Sequence, residues 1–290
     1  MNMAPLFSST PTLKLRENIA TTLLLLPALI FLGGWFVVPL GQLFSLSLNY
    51  KAGPFAAYTE LLGSTVFRQV FLNTLALSAI VTVICVILAY PTAYLLTRLK
   101  GFRFSVALYC VLVPFWISVL VRTFSWMLLL ERNGPVNRLM MATGLTAAPL
   151  PLLFNDFAVY LGMVHVLLPY AILPMYSSML RVDARLLQAS EGLGASNLTT
   201  FLRIYLPLTM PGVLAGGAFV LLLALGYYIT PTLLGGLQNL TAAMLIDNFV
   251  NERLVWPLAA AASFILLFMV LAILALASKF LSLGSVVAVR

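Results

Sequence analysis

Residues 188–212, QASEGLGASNLTTFLRIYLPLTMPG, form a polar island between long apolar runs, and their reading decides the architecture of the chain. Leu186, Ala189 and Leu193 recur on one helical face, and Leu198, Phe201, Leu202 and Tyr205 follow at i, i+3, i+4 and i+7 on another. Gly194 lies between the two patterns, where a residue of positive φ suits a helix C-terminus, and Ser196 has the hydroxyl an N-cap needs. The segment therefore reads as helix, tight turn, helix. Pro207 and Pro211 fall where a strongly apolar run begins, which predicts a bend at that point.

Outward from this elbow the chain is apolar almost everywhere. Hydrophobic residues make up 62% of its 290 positions and charged ones 8%, with a mean hydropathy of +1.06. Such a composition excludes a soluble globular domain. A bilayer span needs about 20 apolar residues, and six runs qualify: Ile19–Leu46, Phe71–Leu96, Phe104–Leu130, Phe157–Leu180, Leu208–Leu234 and Trp256–Leu281. The first run is too long for a cleaved leader and lacks a small-residue cleavage pattern, so it reads as a retained anchor. The expected fold is an all-α integral membrane protein with six spans and the elbow between spans four and five.

Six spans place both termini on one side. With the tails inside, the inner segments hold Lys14, Arg16, Arg98, Lys100, Arg103, Arg181, Arg185, Arg203, Lys279 and Arg290, ten of the sixteen basic residues. That bias follows the positive-inside rule and puts the elbow in the cytoplasm. It also accounts for the net charge of +8 without nucleic acid. The chain divides into a cytoplasmic tail at 1–18, a first span with its outer loop at 19–68, a core at 69–282 containing the elbow at 181–207, and a second cytoplasmic tail at 283–290. The outer loop from Glu131 to Asn155 carries an amphipathic Val136–Met141 piece that is expected to lie along the surface.

Catalytic chemistry has little to work with. No Gly-Lys pair occurs, so there is no phosphate loop and no ATP hydrolysis by this chain. His165 is the single histidine, which leaves no zinc pair and no Ser/His/Asp set. It reads either as a pore residue or as an interhelical hydrogen-bond donor. Cys85 and Cys110 lie inside apolar runs and read as packing residues. Arg122 interrupts the third run, where an unpaired charge is costly, and is expected to snorkel to the outer surface.

The spacing of the elbow resembles the Glu-Ala-Ala loop of ATP-binding-cassette importer permeases. Ala189 precedes Gly194 by five positions, and Ile204 and Leu206-Pro207 follow. The family's initial glutamate is replaced by Gln188, and Glu191, on the same face, is available for the contact a glutamate would make. The stretch VRTFSWMLLLERNG (121–134), the run LGYYITPTLLGG (225–236) and MLIDNFVNERLVWPLAAA (244–261) resemble spermidine/putrescine importer permeases.

The resemblance implies that Gln188, Ala189, Ser190, Glu191, Gly194, Ala195, Ile204, Leu206 and Pro207 engage a cytoplasmic ATPase. It implies a bacterial inner-membrane location, a second permease subunit, non-identical in polyamine systems, and two ATP-binding subunits that hold the ATP and Mg. A periplasmic binding protein would deliver substrate, and this chain would carry no metal or cofactor and would not be an enzyme. A polyamine stripped of water needs aromatic faces and acceptors, for which Trp126, Tyr227, Tyr228 and Asp247 are the candidates. Permeases of this kind also serve amino-acid-like amines and aminophosphonates. A secondary transporter would call for inverted repeats and paired midplane charges, neither of which is evident.

Overall fold

The computed structural model describes residues 24–50 and 53–287. The expected tail at 1–18, the start of the first span and residues 288–290 lie outside the described residues. Twelve α-helical segments follow one another among the described residues, besides a 3-10 turn at Leu237–Asn239 and a π turn at Asn248–Glu252: α1 (Leu24–Leu48), α2 (Ala56–Gly63), α3 (Thr65–Arg98), α4 (Gly101–Trp116), α5 (Val119–Leu130), α6 (Pro135–Ala142), α7 (Asp156–Met179), α8 (Ala184–Gly192), α9 (Asn197–Leu225), α10 (Ile229–Leu234), α11 (Ala242–Asp247) and α12 (Trp256–Val287). Among them no strand occurs, and five helices are long and apolar enough to cross a membrane, or six if α4 and its continuation count as one broken span.

The core is the mutual packing of α3, α7 and α9. On α3 the buried stripe Leu77, Val81, Cys85, Ala89, Ala93 and Leu96 keeps nearly four-residue spacing, and three of its members are small. Small side chains let backbones approach, which matters where lipid supplies no hydrophobic contrast to drive helices together. On α9 the row Gly212, Gly216, Val220 and Ala224 is buried in the same rhythm. A Cβ on Gly212 would stand 2.4 Å from Ser178 Cβ and 2.9 Å from the Pro174 carbonyl, and one on Gly216 would stand 2.8 Å from the Ala171 carbonyl. The α7–α9 crossing is therefore a backbone-to-backbone contact. A second apolar cluster joins Ala57, Leu61, Phe67 and Phe71 to Ala242, Phe249 and the start of α12.

The structure refines three expectations. The third run is not one straight helix: α4 and the α5–α6 segment meet at 102°. Pro114 removes the amide that would bond back one turn, and Ile117 and Ser118 adopt extended ψ angles of 129° and 136°. The fifth run ends at Leu225, where the chain leaves the helix through Gly226 and Tyr227 before α10 begins. At Pro207 and Pro211 the helix continues. A π turn at Phe201–Tyr205 immediately precedes them and α9 continues through both. The wider turn shifts the backbone pairing by one residue, with Leu206 donating to the Phe201 carbonyl, so the missing donor of Pro207 falls where the pairing is already displaced. The amphipathic piece of the outer loop does form a helix, α6.

Candidate functional site

The elbow is held by its own backbone. Asp183 caps α8, accepting from the Arg185 amide at 2.9 Å. At the other end Gly194 takes φ +81°, its amide donates to the Glu191 carbonyl at 2.9 Å, and Ala195 donates to the Ser190 carbonyl at 3.1 Å. These two bonds satisfy carbonyls that a helix end leaves open. Ser196 then caps α9, accepting from the Thr199 amide at 3.2 Å. The two helices are clasped by a buried hydroxyl pair, Ser190 to Thr200 at 2.9 Å.

This clasped unit is joined to the core by rings. Tyr205 meets Tyr94 of α3 edge to face at 5.5 Å, and Phe201 meets Tyr90 in the same way at 6.0 Å. Tyr90 and Thr209 share a hydrogen bond of 3.0 Å, and Arg98 donates to the Tyr94 hydroxyl at 2.7 Å. A cavity of about 230 Å³ lies between them, lined by Arg98, Glu191 and Thr200 among others. Gln188, Ala189 and Glu191 are exposed, Ile204 and Leu206 are partly buried and Pro207 is exposed.

Among the described residues, nothing covers the apolar face of α8 fully. Leu186 is 48% and Leu193 90% exposed, and Ala189 lies between them on the same face. The expected second face splits: Phe201 and Tyr205 turn inward while Leu198 and Leu202 remain exposed, and the π turn rotates the residues after Thr200 relative to those before it.

At the other end of the molecule, Trp126 and Tyr227 meet the same polar cluster. The Trp126 indole N–H donates to His165 Nδ1 at 3.1 Å, with the rings 5.7 Å apart and nearly perpendicular. His165 thus links two helices as an acceptor, not as the donor expected. Arg122 turns toward this cluster instead of snorkelling outward. It is partly buried, its Nε is enclosed without a hydrogen-bond partner, and its charge reaches both His165 and Tyr227. Thr123 and Thr230 hydroxyls approach to 3.4 Å beside it.

Tyr228 and Asp247 form a separate pair, the phenol donating to Asp247 Oδ2 at 3.0 Å. Asn251 donates to the other carboxylate oxygen at 2.6 Å. The Asp247 carboxylate pushes the Tyr228 phenol above its ordinary pKa. Cys85 packs in the core as expected, whereas Cys110 is exposed on α4.

Several residues of consequence escaped the sequence reading. The Gly212–Gly216 pair was visible as a Gly-x-x-x-Gly spacing in an apolar run. The Tyr90–Tyr94 platform joins segments far apart in the chain and left no local signal, and the Ser190–Thr200 clasp links residues ten positions apart that no helical periodicity pairs.

The described residues thus form a bundle of apolar helices with a capped helix-turn-helix, α8 and the start of α9, following α7. The chain matches the family "Binding-protein-dependent transport system inner membrane component" over residues 89–279 and belongs to that family. It is an inner-membrane ABC importer permease, a translocation component and not an enzyme. It is 39% identical over 207 residues to the spermidine/putrescine transport system permease protein PotB of Escherichia coli, covering 71% of this chain and 74% of that one. With the protein of the same name from Haemophilus influenzae it shares 35% over 221 residues, 74% and 76% of the two chains. In fold it is similar to a bacterial ABC transporter involved in import of the acidic polysaccharide alginate, with a TM-score of 0.72, 18% identity and coverage of 93% and 98%.

Proposed function

We propose that this chain forms half of the translocation path of an ATP-driven importer for small organic cations of the polyamine class. The observation that carries the substrate reading is its similarity, over 71% of its length, to a permease named for spermidine and putrescine. Trp126, Tyr227, Tyr228 and Asp247 line the path, offering ring faces and acceptors to an ammonium group. Residues 181–207 are the coupling loop, cytoplasmic together with the tails at 1–18 and 283–290.

Two ATP-binding subunits, which hold ATP and Mg, grip Gln188, Ala189, Glu191 and the uncovered Leu186–Leu193 face. A second, non-identical permease completes the cavity, and a periplasmic binding protein delivers substrate. ATP binding draws the ATPases together and the elbow moves with them. The clasp and the tyrosine platform pass that motion to α3, so that the pair of permeases rocks between inward-open and outward-open states.

The test is ATP hydrolysis by the reconstituted importer, with its binding protein, against a panel of spermidine, putrescine, amino-acid-like amines and aminophosphonates. Stimulation by the first two supports the reading. Stimulation confined to the others, or uptake without any ATPase, overturns it.

A further inference from the structure

The end of the core opposite the elbow contains a cavity of about 710 Å³ that the proposed path residues do not touch. Three separate segments build it: Gln69 and Asn73 on α3, Asp156 and Tyr160 at the start of α7, and Gln238 and Asn239 between α10 and α11. Asp156 is anchored through one oxygen only, which accepts from the Asn239 amide group. Asn239 in turn accepts from the Gly236 amide at 2.9 Å, so the loop is pinned to the helix start. The other Asp156 oxygen has no hydrogen-bond partner among the described residues, and Gln69 and Asn73 are exposed with no side-chain bond of their own.

The chemistry of this lining has one sign. It offers a carboxylate, several carboxamide oxygens and a phenol, and no Lys, Arg or His. The α7 N-terminus opposes the carboxylate with only about half a positive charge, so the site stays negative. A primary ammonium group has three donors and no acceptor. The free carboxylate oxygen and two amide oxygens would satisfy it, whereas an anion would meet the carboxylate with no cation to hold it. The volume also lies in the range of small-molecule sites, about 300–1,000 Å³.

We propose that this cavity is an outer receiving subsite for one ammonium group of an amine substrate, with Asp156 as the counter-charge and Asn73 and Gln69 as neutral acceptors. The assignment rests on the amine-importer reading above. It places a selectivity element in the permease, at the mouth that faces the binding protein.

The experiment pairs equilibrium binding of labelled spermidine to the assembled permease–ATPase complex, without binding protein, with spermidine uptake by the complete importer in proteoliposomes. Asp156→Asn is expected to raise Kd at least ten-fold. Because Asp156 also pins the loop, Asn73 supplies independent variants: Asn73→Asp should lower Kd about three-fold and Asn73→Lys should raise it at least ten-fold. If the complete importer takes up spermidine but Kd is the same in all variants, or wild-type complex binds none, the subsite is refuted and the amine reading stands. Loss of binding in Asp156→Asn with both Asn73 variants at the wild-type value assigns Asp156 a purely structural role and also refutes the subsite. No uptake of any amine by the complete wild-type importer removes both.

Discussion

The elbow and the broken helices at the other end of the bundle are built from the same residue types and behave as opposites. In the elbow every irregular backbone position has a partner: Asp183 and Ser196 cap their helices, Gly194 and Ala195 close the turn, and Ser190 meets Thr200. At the breaks after Trp116 and Leu225, Ser118 provides no side-chain cap. Arg122 Nε lies enclosed without a partner, and Trp126, His165 and Tyr227 gather around that charge. One region is a stiff handle. The other holds a cation whose Nε–H lacks an acceptor, a group that a second arrangement of the helices can satisfy.

Joining the two is the α7–α9 crossing, and the largest expected effect lies there. Gly216→Leu forces a side chain against the Ala171 carbonyl, with no flexible group able to yield. Overpacking of this kind costs up to about 3 kcal/mol or more, so the variant should lose its monodisperse, assembled form on size-exclusion chromatography. An intact complex would show that elbow and path are joined elsewhere.

Gly194→Val comes next. No atom lies within 4 Å of the added Cβ, so the whole penalty is conformational, about 1–2 kcal/mol for a left-handed residue and greater for a β-branched one. Uptake should fall roughly five- to thirty-fold while the amount inserted in the membrane is unchanged, and Gly194→Asn should retain most of it. Normal uptake in the valine variant would mean that the handle does not need to be stiff.

Smaller effects separate the regions further. Trp126→Phe removes one neutral hydrogen bond to His165, worth about 1 kcal/mol, and should change the uptake rate about five-fold without altering ATPase association. Glu191→Ala removes an exposed charge that makes no ion pair within the described residues. It should do the reverse, weakening ATPase binding by about three-fold, as rim charges do, and leaving the thermal midpoint in place. If the two readouts exchange, the division into handle and path is wrong.

The elbow was legible because its signals are local. Gly194 and Ser196 specify a turn and a cap within three residues, and the structure has both. Hydropathy alone missed the 102° break after Trp116, since the apolar run continues across it and only Pro114 interrupts the pairing. It also extended span five by one short helix, because Ile229–Leu234 has no charged residue to end the run. The outcome for Arg122 depended on His165 and Tyr227, which come from other parts of the chain, and a snorkelling argument uses only its own helix. The π turn at Phe201–Tyr205 had no sequence signal beyond the prolines that follow it.

The central claim is that the handle is gripped by the ATPase, and Leu193, 90% exposed at its tip, reports on it most directly. In a chain whose exposed Cys110 is replaced by serine, Leu193→Cys should cross-link to the cytoplasmic ATP-binding subunit of the assembled importer with a short bifunctional maleimide. Absence of that cross-link, with the thiol instead labelled from outside intact cells by a membrane-impermeant reagent, would contradict the account.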